Sequence, residues 1–396
     1  PESWNNAGQG GAVIIPAASN VTLQAFTGAT SLGAGESREL CFSLIPTPVK
    51  PRDPDHWADP RRWKLRYSML ASISPRDSKA LGVTDITAFH ATPANPWINY
   101  PFIAVDRLKQ FVFEAHEAGL NARLYYTVRE LTNHAAEFWP LWSMKEEFFA
   151  PGKGEGGPWL REHLLGGYSP AWSCTPEGDE AVPDDSLHVS GWSRWLNYYV
   201  QSLVWLMETH KVDGLYFDGV SCGRKTLQRL RRVGDATRPN FRMDFHSGNT
   251  ITRRSNAFND SLELLPYMDS TWIGEGFNYN GSPDFYMGEL SGIPFGIPND
   301  MLQYGGNPWR GMLYGMVPRY IENHSASPYA MWQFWDQIGI ETSRMIGYWD
   351  KQAPVKTSRS DILATTYQMK DKTLIAIAGW AKEDVSCRLE INYQAL

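Results

Sequence analysis

The 396-residue sequence contains few cysteines, little charge and no long apolar run. Its four cysteines, Cys41, Cys174, Cys222 and Cys387, lie far apart and form no Cys-x-x-Cys pair, which excludes a zinc framework and a disulfide-dense scaffold. The formal net charge is −6, whereas a nucleic-acid partner normally requires a basic face. No stretch of about 18 consecutive apolar residues occurs, so the sequence predicts no membrane span.

The motifs of several other chemistries are also missing. The sequence has no Gly-x-Ser-x-Gly elbow, no His-Glu-x-x-His, no phosphate-binding loop and no dinucleotide fingerprint. His163, His188 and His324 lack metal-ligand spacing, so we expect neither a metal nor a cofactor. The chain begins at Pro1 without a leader pattern, which indicates a mature form or a fragment. We expect it to act in an extracellular or periplasmic location.

Aromatic residues, in contrast, are abundant. They make up 13% of the chain, with 17 Trp, 18 Tyr and 17 Phe. Such rings fill protein cores because each buries a large area. They also stack on the flat apolar faces of sugar rings. Composition alone leaves both roles open.

The order of the predicted elements indicates a barrel flanked by β-sandwich-like segments at both termini. Residues 1–60 are predicted as a β segment, with strands at 21–26 and 39–45 and a Pro- and Asp-rich linker at its end. Strands then alternate with helices over 61–352, and a second β segment follows at 353–396. The eight candidate barrel strands are 84–89, 122–127, 168–172, 214–217, 241–245, 270–274, 293–297 and 345–348. Their number and order predict an α/β fold of the (β/α)8 TIM-barrel type.

Two carboxylates stand at the predicted strand ends, where TIM barrels place their catalytic groups. Asp218 closes the fourth strand and precedes Gly219, and Glu275 closes the sixth. Each also has a structural explanation, as a helix cap or as a salt-bridge partner. Glycoside hydrolysis needs two carboxyl groups across the scissile bond. We therefore predict Asp218 as the nucleophile and Glu275 as the general acid/base, with the pKa of the acid raised by burial and by the neighbouring carboxylate.

Further polar and aromatic residues near the strand ends would complete a sugar-binding pocket. Period-two alternation places Asp244 and His246 on one side of the fifth strand, where His246 can bind a hydroxyl, orient Asp218 or be purely structural. The other candidate substrate-binding residues are His90, Trp97, Asn99, Tyr126, Arg129, Glu130, Trp272, Asn299, Asp300 and Trp349. Together they predict a ring of hydrogen-bonding and stacking groups.

Several long segments, in a fixed order, carry a family resemblance. They include Asn95-Pro-Trp-Ile-Asn-Tyr-Pro-Phe102, Leu124-Tyr-Tyr-Thr-Val-Arg-Glu-Leu131, Val212-Asp-Gly-Leu-Tyr-Phe-Asp218, Trp272-Ile-Gly-Glu275 and Gly306-Asn-Pro-Trp-Arg-Gly-Met312. Through them the stretch from about residue 57 to 380 resembles barrel proteins related to glycoside hydrolase family 123. The resemblance implies a barrel between β-rich flanks, a carbohydrate substrate and glycan hydrolysis.

The sequence departs from one mechanism that the resemblance suggests. In enzymes acting on acetamido sugars, an adjacent Asp-Glu pair lets the substrate's own amide attack, but Gly219 follows Asp218 here. An Asp on strand four with an acid on strand six instead resembles retaining α-galactosidase-like and α-N-acetylgalactosaminidase-like barrels. This layout implies a retaining, exo-acting enzyme.

Two other classes of function stay open at this point. One is a polysaccharide lyase or another barrel enzyme that uses His246 and a tyrosine as base and acid. The other is a non-catalytic carbohydrate-binding or structural barrel.

Overall fold

A computed structural model describes residues 6–40, 44–49, 66–68, 74–178, 182–191, 194–220, 222–246, 262–273, 280–301, 308–319 and 328–396. The chain divides into two compact units, Pro1–Pro46 and Thr47–Leu396. The first unit contains an antiparallel hairpin of Gly11–Pro16 (β1) and Val21–Phe26 (β2), of which the second strand was predicted. The described ends of the predicted strand 39–45 are irregular, and 41–43 lie outside the described residues.

The second unit is built around one parallel sheet. The strands described in this unit, inside and outside the parallel sheet, are in chain order Tyr67–Ser68 (β3), Asp85–Ala88 (β4), Asn121–Tyr125 (β5), Glu130–Thr132 (β6), Pro170–Cys174 (β7), Asp184–His188 (β8), Gly214–Asp218 (β9), Arg242–His246 (β10), Ser270–Ile273 (β11), Asn299–Met301 (β12), Val317–Pro318 (β13), Arg344–Ile346 (β14), Val355–Thr357 (β15), Ile362–Gln368 (β16), Thr373–Gly379 (β17) and Leu389–Ile391 (β18). Eight of them lie side by side in the order β13-β12-β11-β10-β9-β5-β4-β3, and every pair of neighbours in this order is parallel. This sheet confirms the predicted TIM-barrel fold.

Eight helices of the described residues lie between and after the barrel strands. They are Pro75–Ala80 (α1), Val105–Glu117 (α2), Phe138–Ser143 (α3), Pro158–His163 (α4), Trp195–His210 (α5), Arg224–Thr237 (α6), Pro283–Phe285 (α7) and Tyr329–Ile338 (α8). Helix α5 buries Tyr199, Leu203 and Leu206, which recur at helical spacing and so form one apolar face. Helix α1 begins where the Ser74 side chain accepts a hydrogen bond from the amide of Asp77 at 3.1 Å.

Strand β9 shows how the sequence separates the inside of the barrel from its outside. Leu215 and Phe217 join the large apolar core that includes the helix side chains. Tyr216, between them in sequence, joins a smaller aromatic cluster with Tyr125 and Trp272. Alternate residues of a strand point to opposite faces of the sheet, so the smaller cluster marks the barrel interior.

Three of the eight predicted barrel strands were wrong. The segment predicted at 168–172 forms β7, which pairs antiparallel with β8 outside the barrel, and the one at 345–348 forms β14, which pairs antiparallel with β16. Residues Ile293–Phe295 form a 3-10 turn with a proline in its first positions, and the seventh barrel strand is β12. The true first and eighth strands, β3 and β13, span two residues each, too short for a visible periodicity. Asp218 still closes the fourth barrel strand. The prediction omitted the true first strand, β3, but counted the segment 168–172 as a barrel strand, so the number of strands up to Asp218 is unchanged.

An excursion between β5 and α5 carries its own small sheet. Strands β6, β8 and β7 form an antiparallel sheet in that order, accompanied by α3 and α4. It leaves the barrel directly after β5, so its first strand begins next to the carboxyl end of the barrel.

The C-terminal residues form the predicted hairpin of β16 and β17, joined by β14, with β15 and β18 as a second pair. The Thr365 hydroxyl donates to the Leu313 carbonyl at 2.7 Å, and the Tyr367 hydroxyl donates to the Met312 carbonyl. This sheet therefore packs on the segment just before β13. The domain limits at 60 and 352 stay a prediction.

Candidate active site

Asp218 lies at the carboxyl end of β9, in one row with two other predicted site residues. The ladder pairs Asp218 with His246 of β10, and His246 with Trp272 of β11. The His246 and Trp272 rings are in contact, with centroids 4.1 Å apart. The parallel register thus brings three strand ends together at the edge where TIM barrels carry their active sites.

Three donors converge on the Asp218 carboxylate. His246 Nδ1 lies 2.8 Å from Oδ1, while the Tyr125 hydroxyl and Arg129 Nη2 lie 3.2 and 3.3 Å from Oδ2. Burial favours the protonated acid, but the hydrogen bond and charge of His246, with the charge of Arg129, outweigh it and hold the pKa of Asp218 below its usual value. Asp218 is therefore ionised at neutral pH, and its side chain keeps 23% exposure.

Glu130 is a second carboxylate beside Asp218, held in a different way. Its Oε1 accepts from the Tyr125 hydroxyl at 3.2 Å and from Arg129 Nη2 at 3.0 Å, and Oε2 accepts from Arg129 Nε. The Glu130 side chain has no exposed surface. One phenol and one guanidinium thus link Glu130 to Asp218, and the guanidinium binds both oxygens of the Glu130 carboxylate.

His90 and two aromatic rings form one side of the site. Burial lowers the pKa of His90 to about 4, so its imidazole is neutral at neutral pH. Its ring lies edge-on to Tyr125, with centroids 4.5 Å apart, and to Trp172 of β7, 5.2 Å apart. His90 Nδ1 is buried and has no hydrogen-bond partner among the described residues. A neutral imidazole there can exchange a hydrogen bond with a bound hydroxyl group.

Asp244 and Asp300, predicted to bind substrate, lie inside the barrel. Arg319 Nη2 donates to both carboxylates, at 2.6 and 2.7 Å, and the three side chains are almost fully buried. Burial raises the pKa of Asp300 to about 7. The charge of Arg319 lowers this pKa but only partly offsets the burial, and the charge of Asp244 raises it further. The Arg319 guanidinium also lies 4.6 Å from the Trp272 ring. The two carboxylates thus belong to a buried ion network beneath the Asp218 row.

Other predicted residues lie away from Asp218. Tyr126 stacks on Tyr199 at 4.2 Å on the outer face of β5, and Trp97 stacks on His134 at 3.9 Å. Trp349 packs against Tyr314, 6.2 Å away, beside the C-terminal sheet.

Two predicted asparagines hold backbone groups. Asn99 accepts from the Thr127 amide at 2.6 Å and donates to the Glu130 carbonyl at 2.7 Å, so it fixes the loop that carries Arg129. Asn299 donates to the Leu290 carbonyl at 2.5 Å and is fully buried. Glu275 lies outside the described residues.

The sequence interpretation missed Tyr125 and Trp172. Tyr126 was chosen in place of Tyr125, and in a strand a shift of one residue moves a side chain to the opposite face. The inward positions of β5 could have been found from Arg123, which shares the face of Tyr125. Trp172 carried no sequence signal, because only the tertiary fold brings β7 to the barrel.

No described helix is long and apolar enough to cross a membrane. Within the described ranges, no group of three or more His, Cys, Asp or Glu side chains is arranged to hold a metal ion.

Comparison with known proteins identifies the protein family of this chain. Residues 59–321 match the family model described as the TIM-barrel domain of glycoside hydrolase 123. Residues 327–396 match the C-terminal domain of that family, and 1–48 match its third domain. A search of curated proteins found no match. The barrel and its family models define a TIM-barrel glycoside hydrolase, a glycosidase. The chain belongs to glycoside hydrolase family 123.

Solved structures of other glycosidases are similar at low identity. A noncanonic maltogenic α-amylase from Thermotoga neapolitana has 10% identity and a TM-score of 0.48, covering 83% of this chain and 88% of its own. A maltogenic amylase from S. marinus has 9% identity and a TM-score of 0.49, and the match covers 78% of this chain and 56% of the amylase. A family 36 α-galactosidase from Geobacillus stearothermophilus has 10% identity and a TM-score of 0.45, and the match covers 76% of this chain and 44% of the galactosidase.

Proposed function

We propose that this glycoside hydrolase is a retaining, exo-acting enzyme on an oligo- or polysaccharide, with Asp218 as nucleophile and Glu275 as general acid/base. The observation that carries the proposal is the setting of Asp218: an ionised, partly exposed carboxylate at a barrel strand end, held by His246, Tyr125 and Arg129. A nucleophile must be ionised when substrate arrives and must keep one face accessible. Asp218 meets both requirements.

Two steps complete the reaction. Asp218 attacks the anomeric carbon while the bond to the leaving oxygen breaks and Glu275 gives that oxygen a proton. Glu275 then takes a proton from water, whose oxygen attacks the anomeric carbon and releases Asp218. Both carboxyl groups return to their starting states, and the anomeric configuration is retained.

The sequence position of Glu275 supports its role. It follows the end of β11 by two residues, and Trp272 of that strand contacts His246, the partner of Asp218. Glu130 is the other carboxylate near Asp218, but it is poorly suited as the acid. Arg129 binds both of its oxygens and its side chain has no exposed surface, whereas a general acid must reach the leaving oxygen of the substrate.

The test begins with a panel of 4-nitrophenyl α- and β-glycosides, with the product anomer identified by NMR. We expect retention, and we expect Asp218→Asn to lower kcat at least about 10³-fold. The matched control is Asp213→Asn at the opposite end of β9, where Asp213 binds His116 and Arg238. This variant should lose thermal stability and keep its turnover at temperatures where it stays folded.

Azide separates the roles of the two carboxyls. With Glu275→Gln, azide should restore turnover of an activated glycoside and give a glycosyl azide of retained configuration. With Asp218→Ala, it should give the inverted azide. An inverted initial product from the wild-type enzyme, or rescue of Glu130→Gln in place of Glu275→Gln, would contradict the assignment.

A further inference from the structure

Trp172 is a half-exposed tryptophan beside the candidate active site. It belongs to β7 of the inserted sheet, and 47% of its side chain is exposed. The exposed part of the ring offers a large, flat apolar area to a ligand.

A short series of contacts connects Trp172 to the reactive carboxylate. The Trp172 and His90 centroids are 5.2 Å apart with the rings nearly perpendicular, and His90 lies 4.5 Å from the Tyr125 ring. The Tyr125 hydroxyl lies 3.2 Å from Asp218 Oδ2. Only the His90 and Tyr125 rings thus stand between Trp172 and Asp218 in this series of contacts.

The backbone around Trp172 is fixed. Its amide donates to the Ser186 hydroxyl at 2.9 Å, and that hydroxyl donates to the Trp172 carbonyl at 2.8 Å. The register of β7 against β8 shifts between Pro170 and Ser173, and such irregularities turn side chains toward active sites. The Glu177 amide also donates to the carbonyl of the residue after His90, at 2.9 Å. These bonds fix the backbone that carries the ring before a ligand arrives, which lowers the entropy cost of binding.

Beside the ring lies a polar atom without a partner. His90 is only 4% exposed, and its buried Nδ1 atom has no hydrogen-bond partner among the described residues. A buried polar atom of this kind is costly unless a ligand satisfies it. An apolar ring face next to a hydrogen-bonding nitrogen matches a pyranose, which presents a flat C–H face and hydroxyls around its edge.

We propose that Trp172 is a substrate-binding residue, on whose exposed face a pyranose ring of the substrate stacks while His90 Nδ1 binds one of its hydroxyls. The inserted sheet thereby supplies one wall of the glycan site. This inference rests on the proposed function, since it needs a glycan substrate at Asp218. It assigns to Trp172 the binding of substrate and no part in bond cleavage.

The test compares Trp172→Ala, Trp172→Phe and Trp139→Ala on whichever 4-nitrophenyl glycoside and its longer oligosaccharide the wild-type enzyme hydrolyses. Trp139 is the control, because it is a 54%-exposed tryptophan of α3 in the same excursion. For Trp172→Ala we expect kcat/KM to fall about tenfold or more, mainly through KM, since each 1.4 kcal/mol of lost binding is tenfold. Trp172→Phe should recover part of this loss, and Trp139→Ala should match the wild type.

A direct binding measurement supports the kinetics. Sugar titrated into Asp218→Asn should change the tryptophan fluorescence, and Trp172→Phe in that background should remove the change. Wild-type turnover together with unchanged KM in Trp172→Ala would overturn the role of Trp172 and leave the proposed hydrolysis intact. Failure of the wild type on every glycoside would count against the proposed function and, with it, against this inference. Near-ultraviolet circular dichroism verifies that each variant is folded.

Discussion

Asp218 and His246 are partners in the ladder between β9 and β10, and their side chains meet with Oδ1 and Nδ1 2.8 Å apart. The parallel register sets this contact, because both residues end their strands at the same level. Since the carboxylate is ionised, the imidazole Nδ1 carries the proton and donates. The opposite nitrogen, Nε2, is buried and has no hydrogen-bond partner among the described residues. His246 thus orients Asp218 and can present a second nitrogen to a ligand.

The first prediction concerns the acidic limb of the pH–rate profile. His246→Phe removes a hydrogen bond and a charge that lower the pKa of Asp218, so that pKa rises. Because the ionised form reacts, the acidic limb of kcat/KM should move to higher pH, with a loss at the optimum of about 10- to 100-fold.

The control for this prediction is His116→Phe. His116 Nε2 lies 2.7 Å from Asp213 Oδ2 at the other end of β9, an equivalent pair away from the site. Its removal should leave the acidic limb in place. An unmoved limb in His246→Phe would show that His246 does not govern the ionisation of Asp218.

The second prediction concerns the stability of the Arg129–Glu130 pair. Arg129→Met leaves the fully buried Glu130 carboxylate without its cation, which should cost about 3–5 kcal/mol in the free energy of unfolding. The double variant Arg129→Met/Glu130→Gln should recover much of that loss, because no uncompensated charge stays buried. Urea denaturation measures both. Arg194→Met, which breaks the exposed pair with Glu147, should leave the free energy of unfolding close to that of the wild type, and an equal cost for both arginines would contradict the prediction.

The third prediction concerns the residue after Asp218. Gly219 has φ +75°, a conformation that L side chains rarely adopt, and an added Cβ would lie 3.3 Å from Arg129 Nη1. Gly219→Ala should therefore cost about 1 kcal/mol in stability and lower kcat by displacing Arg129 from Asp218. Gly288→Ala, where the added methyl meets open space, serves as the control in thermal and kinetic assays. Full activity in Gly219→Ala would mean that the Arg129 position is not needed.

The fourth prediction concerns Asp300 and the pH dependence of stability. Its folded pKa, about 7, lies above the unfolded value, so between about pH 4 and 7 the folded protein binds more protons than the unfolded chain. The stabilisation is present below the unfolded pKa and is lost as the pH rises through 7. Asp300→Asn should flatten this decline in urea titrations from pH 5 to 8. Asp371→Asn, in the exposed hairpin turn, should leave the slope unchanged, and a wild-type stability that does not decline over this range would contradict the prediction.

Part of the candidate site could be predicted from the sequence for a local reason. A short apolar run that ends in Asp-Gly, as at Asp218 and Gly219, indicates a strand followed by a sharp turn, and in a barrel this places the carboxylate at the rim. The pairing of His246 with Asp218 follows from the same logic, since two adjacent parallel strands end at one edge. The catalytic roles of Asp218 and Glu275 stay predictions.

The surroundings of other predicted site residues could not be read from the sequence, because period-two patterns do not identify which face of a strand is inside. Tyr125 and Tyr126 are equivalent in the sequence, yet one lies in the barrel interior and the other packs on Tyr199. Asp244 lies on the same face of β10 as His246, two residues farther from the carboxyl end of the strand. There Arg319 binds it inside the barrel. Depth along the barrel axis is a property of the folded sheet.

The sequence alone determined the alternation of strands and helices, the family resemblance and the strand-end position of Asp218, because each is encoded in short segments and their order along the chain. Only the tertiary structure decided which distant groups meet. Arg319 reaches Asp244 across 75 positions, and Arg129 reaches Asp218 across 89. Trp172 lies beside His90 because an inserted sheet folds back onto the barrel. Contacts of this range depend on packing and desolvation in three dimensions, which no local pattern records.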